Sequence, residues 1–452
     1  MPHTVLAITL CSWVSGAGAA APVHSPVAAG DETYRQLELF ARVLSYVENN
    51  YVEPTDKRQL MYGAIKGMLE TLDPHTVFMP PEVFREMKVD TSGEFGGLGL
   101  EVAVKGDTLT VVSPMDDTPA ARAGIRPGDR LLKIDGESTQ GMDLVTAQQR
   151  MRGPPGKKVT LTLMRDGFSA PRELALIRDH IRIASVEGAV YGGIGHVKVK
   201  AFQERTDHDL RKELDRLRGQ NGGKPLRALV LDLRNNPGGL LDQAVAVSDR
   251  FLPGNLSIVS TRGRSGKGAA EEKSRDVDTE PPYPLAVLVN AGSASASEIV
   301  AGALQDNGRA TVMGLPTFGK GSVQTVIELE DGSGLKLTIA RYYTPNGRSI
   351  QERGITPDYL VPESPGAEPK SPTRERDLKR HFKGEGQGAT SGAGGAVGLP
   401  GPATGWGPAE AVSDYQLKVA LNFLNAAPVK SAAGRRAGAV SGATGGRGSA
   451  EK

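Results

Sequence analysis

Two short stretches combine residue types that nucleophilic catalysis needs. Residues 290–299 (NAGSASASEI) follow an apolar run at 285–289 and lead into helix-type sequence. Small residues permit a sharp strand-to-helix turn. A serine there sits at a helix N-terminus, where unpaired N–H groups and the dipole favour developing negative charge. Ser295 is the candidate nucleophile. The same spacing, with Glu298 three residues on, is also a capping box, and capping is the ordinary work of a serine at a helix start. A hydroxyl is a weak nucleophile and needs a base. Lys320 is the candidate base, flanked by Gly319 and Gly321 and followed by apolar, β-type sequence. Burial disfavours an ammonium and brings a lysine pKa toward neutrality. Gln324, four residues on, shares a face with Lys320 if the segment is a strand, so its amide can orient the amine without adding charge. A solvated loop lysine is the common alternative.

Other chemistries find less support. None of the seven histidines lies in a Gly/Ser-rich turn, and no HExxH or Cys–His spacing for a metal occurs. His75 reads as a structural histidine. Residues 314–320 (GLPTFGK) match the start of a phosphate-binding loop, but Gly321 stands where a Ser or Thr would bind Mg²⁺, and strand-type sequence follows. Residues 232–239 (DLRNNPGG) follow the apolar strand at 229–233 and form a turn whose glycines can expose backbone N–H groups. A glycine amide of this turn, with that of Ala296 beside the candidate nucleophile, can complete an oxyanion hole. A plain tight turn fits the same residues.

The elements that must position these residues follow from periodicity. Residues 33–48 and 57–72 carry apolar positions at helical spacing, separated by Pro54, Thr55 and Asp56, and predict a small helical N-terminal unit over 31–90. A further short helix is expected around 82–88. Residues 93–180 show short alternating runs at 98–104, 109–112, 131–134, 159–164 and 174–177, punctuated by turn signals, with one helix at 143–151. Residues 185–361 read as α/β, with buried-type strands at 229–233 and 285–289 and a polar loop at 261–280. From 362 to 452 the sequence is mostly low-complexity and expected to be disordered: ten of the 24 residues from 384 to 407 are glycine. The basic stretch 374–383 reads as solvated tail, and 414–424 as an isolated amphipathic helix that folds back onto the body.

The chain has 452 residues, 54 basic and 52 acidic, for a formal net charge of +2. That balance gives no electrostatic reason to expect nucleic acid or an anionic membrane as partner. Residues 5–14 (VLAITLCSWV) and the small residues at 16–21 resemble an export signal with an A-x-A-like site near Ala21, although only His3 and the amino terminus supply positive charge. Residues 1–21 are therefore read as a signal peptide. Cys11, the single cysteine, lies inside it, and Leu10 before it argues against lipoprotein processing. The expected location is exported and periplasmic, with membrane association left open.

Together these motifs resemble the carboxy-terminal processing proteases, the tail-specific peptidases of family S41. The resemblance spans roughly residues 31–361 and the helix at 414–424. It implies that Ser295 in GSASASE is the nucleophile, Lys320 in TFGKG the base and Gln324 its partner, with 232–239 contributing to the oxyanion hole through the amide of Gly239 rather than Gly238. Residues 96–102 (GGLGLEV) resemble the carboxylate-binding loop of PDZ domains, which implies that Gly97, Leu98, Gly99 and Leu100 hold a peptide C-terminus added as a strand. Residues 118–129 and 131–136 also match that domain, and 341–358 matches the end of the protease core. Arg152 is a candidate link between the two domains, or a plain surface arginine. The expected fold is α+β and multidomain: helical unit, PDZ domain, crotonase- or ClpP-like α/β protease core, Gly-rich tail. The implied activity is that of an exported serine endopeptidase needing no cofactor and no metal. Its implied partners are protein substrates with exposed C-termini, an adaptor or activator, and further copies of itself. A non-catalytic PDZ-containing periplasmic scaffold is the alternative, and a nucleotide-binding protein a weaker one.

Overall fold

A computed structural model describes residues 28–266, 268–366, 372–384 and 407–426. The expected export signal and most of the Gly-rich stretch lie outside these. The chain divides into two compact units, residues 1–65 and 66–452. In the first, the helix Ala28–Asn50 leaves Leu37, Phe40, Val43 and Tyr46 exposed. The helix Lys57–Glu70 begins here, and its N-terminus is capped by Asp56, whose carboxylate accepts from the Arg58 and Gln59 amides.

In the second unit the helix Pro81–Ser92 follows the strand Val77–Met79 and is longer than the sequence suggested, because Pro81 is tolerated in its first turn and Gly93 closes it in the left-handed conformation. A six-stranded antiparallel sheet follows, running through Leu100–Lys105, Thr108–Pro114, Arg130–Ile134, Lys158–Met164 and Arg172–Ile177, with Glu137–Ser138 on its side. Alternation along Lys158–Met164 places Val159, Leu161 and Leu163 inward. The helix Leu144–Met151, capped by Asp143, closes this core with Ala147 and Met151.

A second six-stranded sheet, ordered Val186–Tyr191, Ile194–Val199, Ala228–Asp232, Leu285–Val289, Thr311–Gly314 and Tyr359–Leu360, is parallel apart from its first hairpin. Every residue of Ala228–Asp232 and Leu285–Val289 is buried, as expected where both faces are covered. One face packs Leu229, Leu231, Val287 and Val289 into a core shared with residues of the helices Thr206–Gln220, Leu241–Asp249 and Ala296–Asp306. The other packs Val230, Ala286 and Leu288 against Leu417, Ala420, Leu421 and Leu424 of the helix Tyr415–Ala426. Each of those three leucines contributes about 1.5–3 kcal/mol of burial, which fixes the helix although a Gly-rich stretch precedes it.

A five-stranded sheet carries Val77–Met79, Ser257–Gly263, Ala270–Lys273, Ser322–Glu328 and Gly334–Tyr343. Two sequence expectations fail here. Residues 261–280 are not all loop: Ala270–Lys273 pairs with Ser257–Gly263 as an edge strand whose side chains are all exposed, so its polar composition hid it. Residues 374–383 are not a solvated tail either, because Glu375 is completely buried. Among the described residues no helix is long and apolar enough to cross a membrane.

Candidate active site

The strand Leu285–Val289 delivers residues 290–295 into a turn at the start of the helix Ala296–Asp306. Three serines crowd this turn, and the structure separates their work. Ser293 Oγ donates to Leu233 O at 2.8 Å, and Ser297 Oγ donates to Asn236 O at 2.9 Å. Both hydroxyls therefore stitch the turn to residues 232–239. Ser295 lies between them with φ 54° and ψ −112°, a conformation outside the comfortable range of an L-residue, and its hydroxyl makes no cap hydrogen bond. Strain of this kind costs on the order of 1–3 kcal/mol and persists where the surroundings over-determine it. Here the Asn290 side chain accepts from the Asn235 and Gly292 amides, and the Ala294 amide donates to Asn236 O at 3.0 Å.

Glu298 ties this turn to the lysine. It is fully buried and accepts four hydrogen bonds. Oε1 takes Thr317 Oγ1 at 2.5 Å and the Gly319 amide at 2.7 Å; Oε2 takes the Ser295 amide at 2.8 Å and the Lys320 amide at 2.9 Å. Because one oxygen atom receives both, the amide nitrogens of Ser295 and Lys320 lie no farther apart than the sum of those two lengths, roughly under 6 Å. Burial pushes the Glu298 carboxyl up to about 7, against the hydrogen bonds from Thr317, Ser295, Gly319 and Lys320 that favour its charged form. Sequence reading saw Glu298 only as half of a cap.

Lys320 Nζ donates to Gln324 Oε1 at 3.0 Å, and Gln324 Nε2 donates to Ser322 Oγ at 2.8 Å. Gln324 lies on the strand Ser322–Glu328 while Lys320 precedes it, so the two do not share a strand face as the spacing assumed; the neutral Gln324 amide nevertheless reaches the amine. Burial first, and then the nearby Lys336 ammonium, push Lys320 down to about 8, against the carboxylates of Glu375, Glu298 and Asp73. Among the described residues, Lys320 Nζ has no hydrogen bond to Ser295 Oγ.

The turn at 232–239 packs directly on Ser295. A Cβ built on Gly238 would lie 2.8 Å from Ala294 O and 2.9 Å from Ser295 Cβ, so only glycine fits there. The Gly238 amide is committed to Asn236 Oδ1 at 2.9 Å. The amides of Gly239 and Ala296 have no acceptor among the described residues. The turn is anchored from behind by buried charge. Arg234 makes paired hydrogen bonds to Asp232 and, across the chain, to Asp414 at 2.9 and 2.7 Å, while His196 Nε2 lies 3.2 Å from Asp232 Oδ2. Although burial opposes it, the Arg234 guanidinium and His196 hold the Asp232 carboxyl far below the usual carboxylate range.

Residues 97–100 line a second concave site with the helix Leu144–Met151. Its walls are Phe95, Leu98, Leu100 and Met151, with Gln148 and Arg152 at the rim. Gly99 has φ +72° and no room for a Cβ against Thr118. Arg152 lies 4.6 Å from the centroid of the Phe95 ring.

Comparisons with known proteins fall on the same parts. The profile of peptidase family S41 matches residues 193–361, a PDZ domain profile matches 110–165, and the profile described as the activating protease CtpB N-terminal domain matches 9–83. A carboxy-terminal-processing protease of Bartonella bacilliformis is 45% identical over 371 residues, covering 81% of this chain and 85% of its own length. The chain belongs to the carboxy-terminal processing proteases of family S41. Carboxy-terminal processing protease CtpB of Bacillus subtilis is 34% identical over 75% of this chain and 71% of its own length. Among solved structures, a photosystem II D1 C-terminal processing protease is 32% identical, with a TM-score of 0.42 over 73% of this chain and 88% of its own. The α+β multidomain fold and the PDZ and protease parts of this family member stand as the sequence indicated.

Proposed function

We propose that this carboxy-terminal processing protease is an exported serine endopeptidase in which Ser295 and Lys320 form the catalytic pair. Neutral Lys320 accepts the Ser295 proton, Ser295 Oγ attacks the scissile carbonyl, and the Gly239 and Ala296 amides take up the oxyanion. The lysine then protonates the leaving amine; neutral again, Lys320 takes a proton from water as it attacks the acyl group, and returns it to Ser295 Oγ as the acid product leaves. Gln324 holds the amine until substrate arrives. Catalytic hydrogen bonds are commonly loose in the empty enzyme and tighten on the substrate complex, which accommodates the missing Ser295–Lys320 bond. The observation that carries this reading is the single Glu298 oxygen bonded to both amides, beside a serine hydroxyl that, among the described residues, donates no hydrogen bond, unlike those of Ser293 and Ser297.

In this reading the cleft at residues 97–100 takes the C-terminus of a protein substrate as an added strand, its carboxylate on the backbone N–H groups and its last side chain against Leu98, Leu100 and Met151. Residues 5–14 direct export to the periplasm, and the exposed apolar side chains of Ala28–Asn50 serve self-association or an activating partner. Cleavage of a protein bearing a flexible apolar C-terminal tail tests the proposal. Wild type should cleave, Ser295→Ala and Lys320→Ala should not, and removing the last residues of the tail should slow the wild type. Equal cleavage by all three would refute the pair, and binding without cleavage by wild type would leave only a scaffold.

A further inference from the structure

Glu375 lies beyond residue 361, where the family S41 match ends, in a stretch whose basic composition suggested solvent. Its side chain is fully buried. Its backbone N–H donates to Phe318 O at 3.1 Å. Its Oε1 accepts from Gln351 Nε2 at 3.0 Å, and Gln351 Oε1 in turn accepts from the Gly321 amide at 2.9 Å. Phe318 and Gly321 lie on either side of Lys320, so Glu375 holds both flanks of the loop that carries the proposed base. His75 Nε2, at 3.0 and 2.8 Å, bonds the two carboxylate oxygens and keeps the side chain in place.

The rest of the segment is fastened over the same region. Glu352 accepts from the Gly384 amide at 2.9 Å and from His381 Nε2 at 2.6 Å, Arg380 donates to Glu70 O at 2.6 Å, and the Phe382 ring lies 4.2 Å from the Arg341 guanidinium. We propose that Glu375 is a positioning residue for Lys320 and that residues 372–384 are a working part of the catalytic apparatus, supplied from outside the protease domain proper. Its backbone N–H fixes the loop at Phe318, and its carboxylate acts in two ways, by fixing the loop through Gln351 and by placing negative charge near the amine. The charged groups acting on Lys320 are Lys336 from the strand Gly334–Tyr343, Glu298 from the helix Ala296–Asp306, and Asp73, besides Glu375 itself. Among these, the Glu375 carboxylate does the most to hold the lysine pKa up.

The inference rests on the Ser295–Lys320 reading, and the test separates the two. Glu375→Gln, assayed beside wild type and Ser295→Ala on the tailed protein substrate, is expected to lose kcat on the order of tenfold to a hundredfold with KM little changed. The acid limb of its kcat/KM profile should move to lower pH, because a carboxylate favouring the ammonium is gone. A purely structural role would lower the melting temperature and leave that limb where it was. Wild-type kcat with an unmoved acid limb in Glu375→Gln overturns the proposal, whereas equal cleavage by wild type and Ser295→Ala overturns the catalytic reading beneath it. Should Glu375→Gln not fold, Gln351→Leu cuts the link to the Gly321 amide and keeps the His75–Glu375 pair. Reduced kcat there supports the brace, and full activity sinks it.

Discussion

Replacing the proposed base with a side chain of similar length and no charge should stabilise the protein while abolishing its activity. At pH 7 Lys320 is mostly an ammonium in a largely dry site, and burial is the main cause of its fall from 10.5 to about 8. At about 1.4 kcal/mol per pH unit, that fall corresponds to about 3 kcal/mol of unfavourable free energy in the folded state. Lys320→Met removes it but leaves Gln324 Oε1 without its donor, which costs about 1 kcal/mol. The net expectation at pH 6–7 is a gain of about 2 kcal/mol. The sign follows from proton counts. Below pH 8 both folded and unfolded wild type hold the proton and the whole penalty is present. Between 8 and 10.5 the folded state has shed a proton that the unfolded chain keeps, so wild-type stability rises with pH. The advantage of Lys320→Met should therefore shrink steadily across that window. Guanidinium unfolding midpoints for both proteins at pH 6.5, 8, 9 and 10 measure it. A variant less stable than wild type at pH 6.5, or a difference that stays flat to pH 10, would show that the amine is well solvated and remove the basis for calling it a base.

The kcat/KM of wild type should rise with pH through about 8 as Lys320 loses its proton, an acid limb readable with a small fluorogenic peptide. Glu298→Gln presents amide hydrogens where four donors converge; we expect a loss of about 3 kcal/mol or more in thermal unfolding, together with most of the activity. Gly238→Ala places a methyl group 2.9 Å from Ser295 Cβ and should abolish cleavage while the full-length variant still binds the tail at residues 97–100, followed by fluorescence polarisation. Asp414→Asn removes the charge opposite Arg234. It should cost about 1 kcal/mol and reduce kcat, since Arg234 belongs to the turn that offers the Gly239 amide.

Much of the site was legible because its parts are written in short, local patterns. The glycines of 232–239, the small residues before Ser295 and the four-residue step from Lys320 to Gln324 each constrain the backbone where they stand. The structure brings the Ser295 and Lys320 amides to one Glu298 oxygen and, among the described residues, shows no hydrogen bond between the Ser295 hydroxyl and the Lys320 amine. What could not be read are partnerships between residues far apart in the chain. Glu375 and His75 are 300 positions apart, and nothing near either one announces the other. Glu298 looked like a cap because its bond to the Ser295 amide is local, while its bonds to Thr317, Gly319 and Lys320 cross the fold. The strand Ala270–Lys273 was missed for a different reason. An edge strand with every side chain in solvent has no apolar alternation to betray it.

The shared oxygen of Glu298 acts like a common datum in a machined part. The amides of Ser295 and Lys320 are each gauged from that single atom rather than from one another through a long chain of intermediate fits. A small shift of the helix carries the reference with it, and both dimensions travel together. Disturbances elsewhere, in the PDZ domain for example, should accordingly change how many molecules are intact more than how fast an intact molecule turns over.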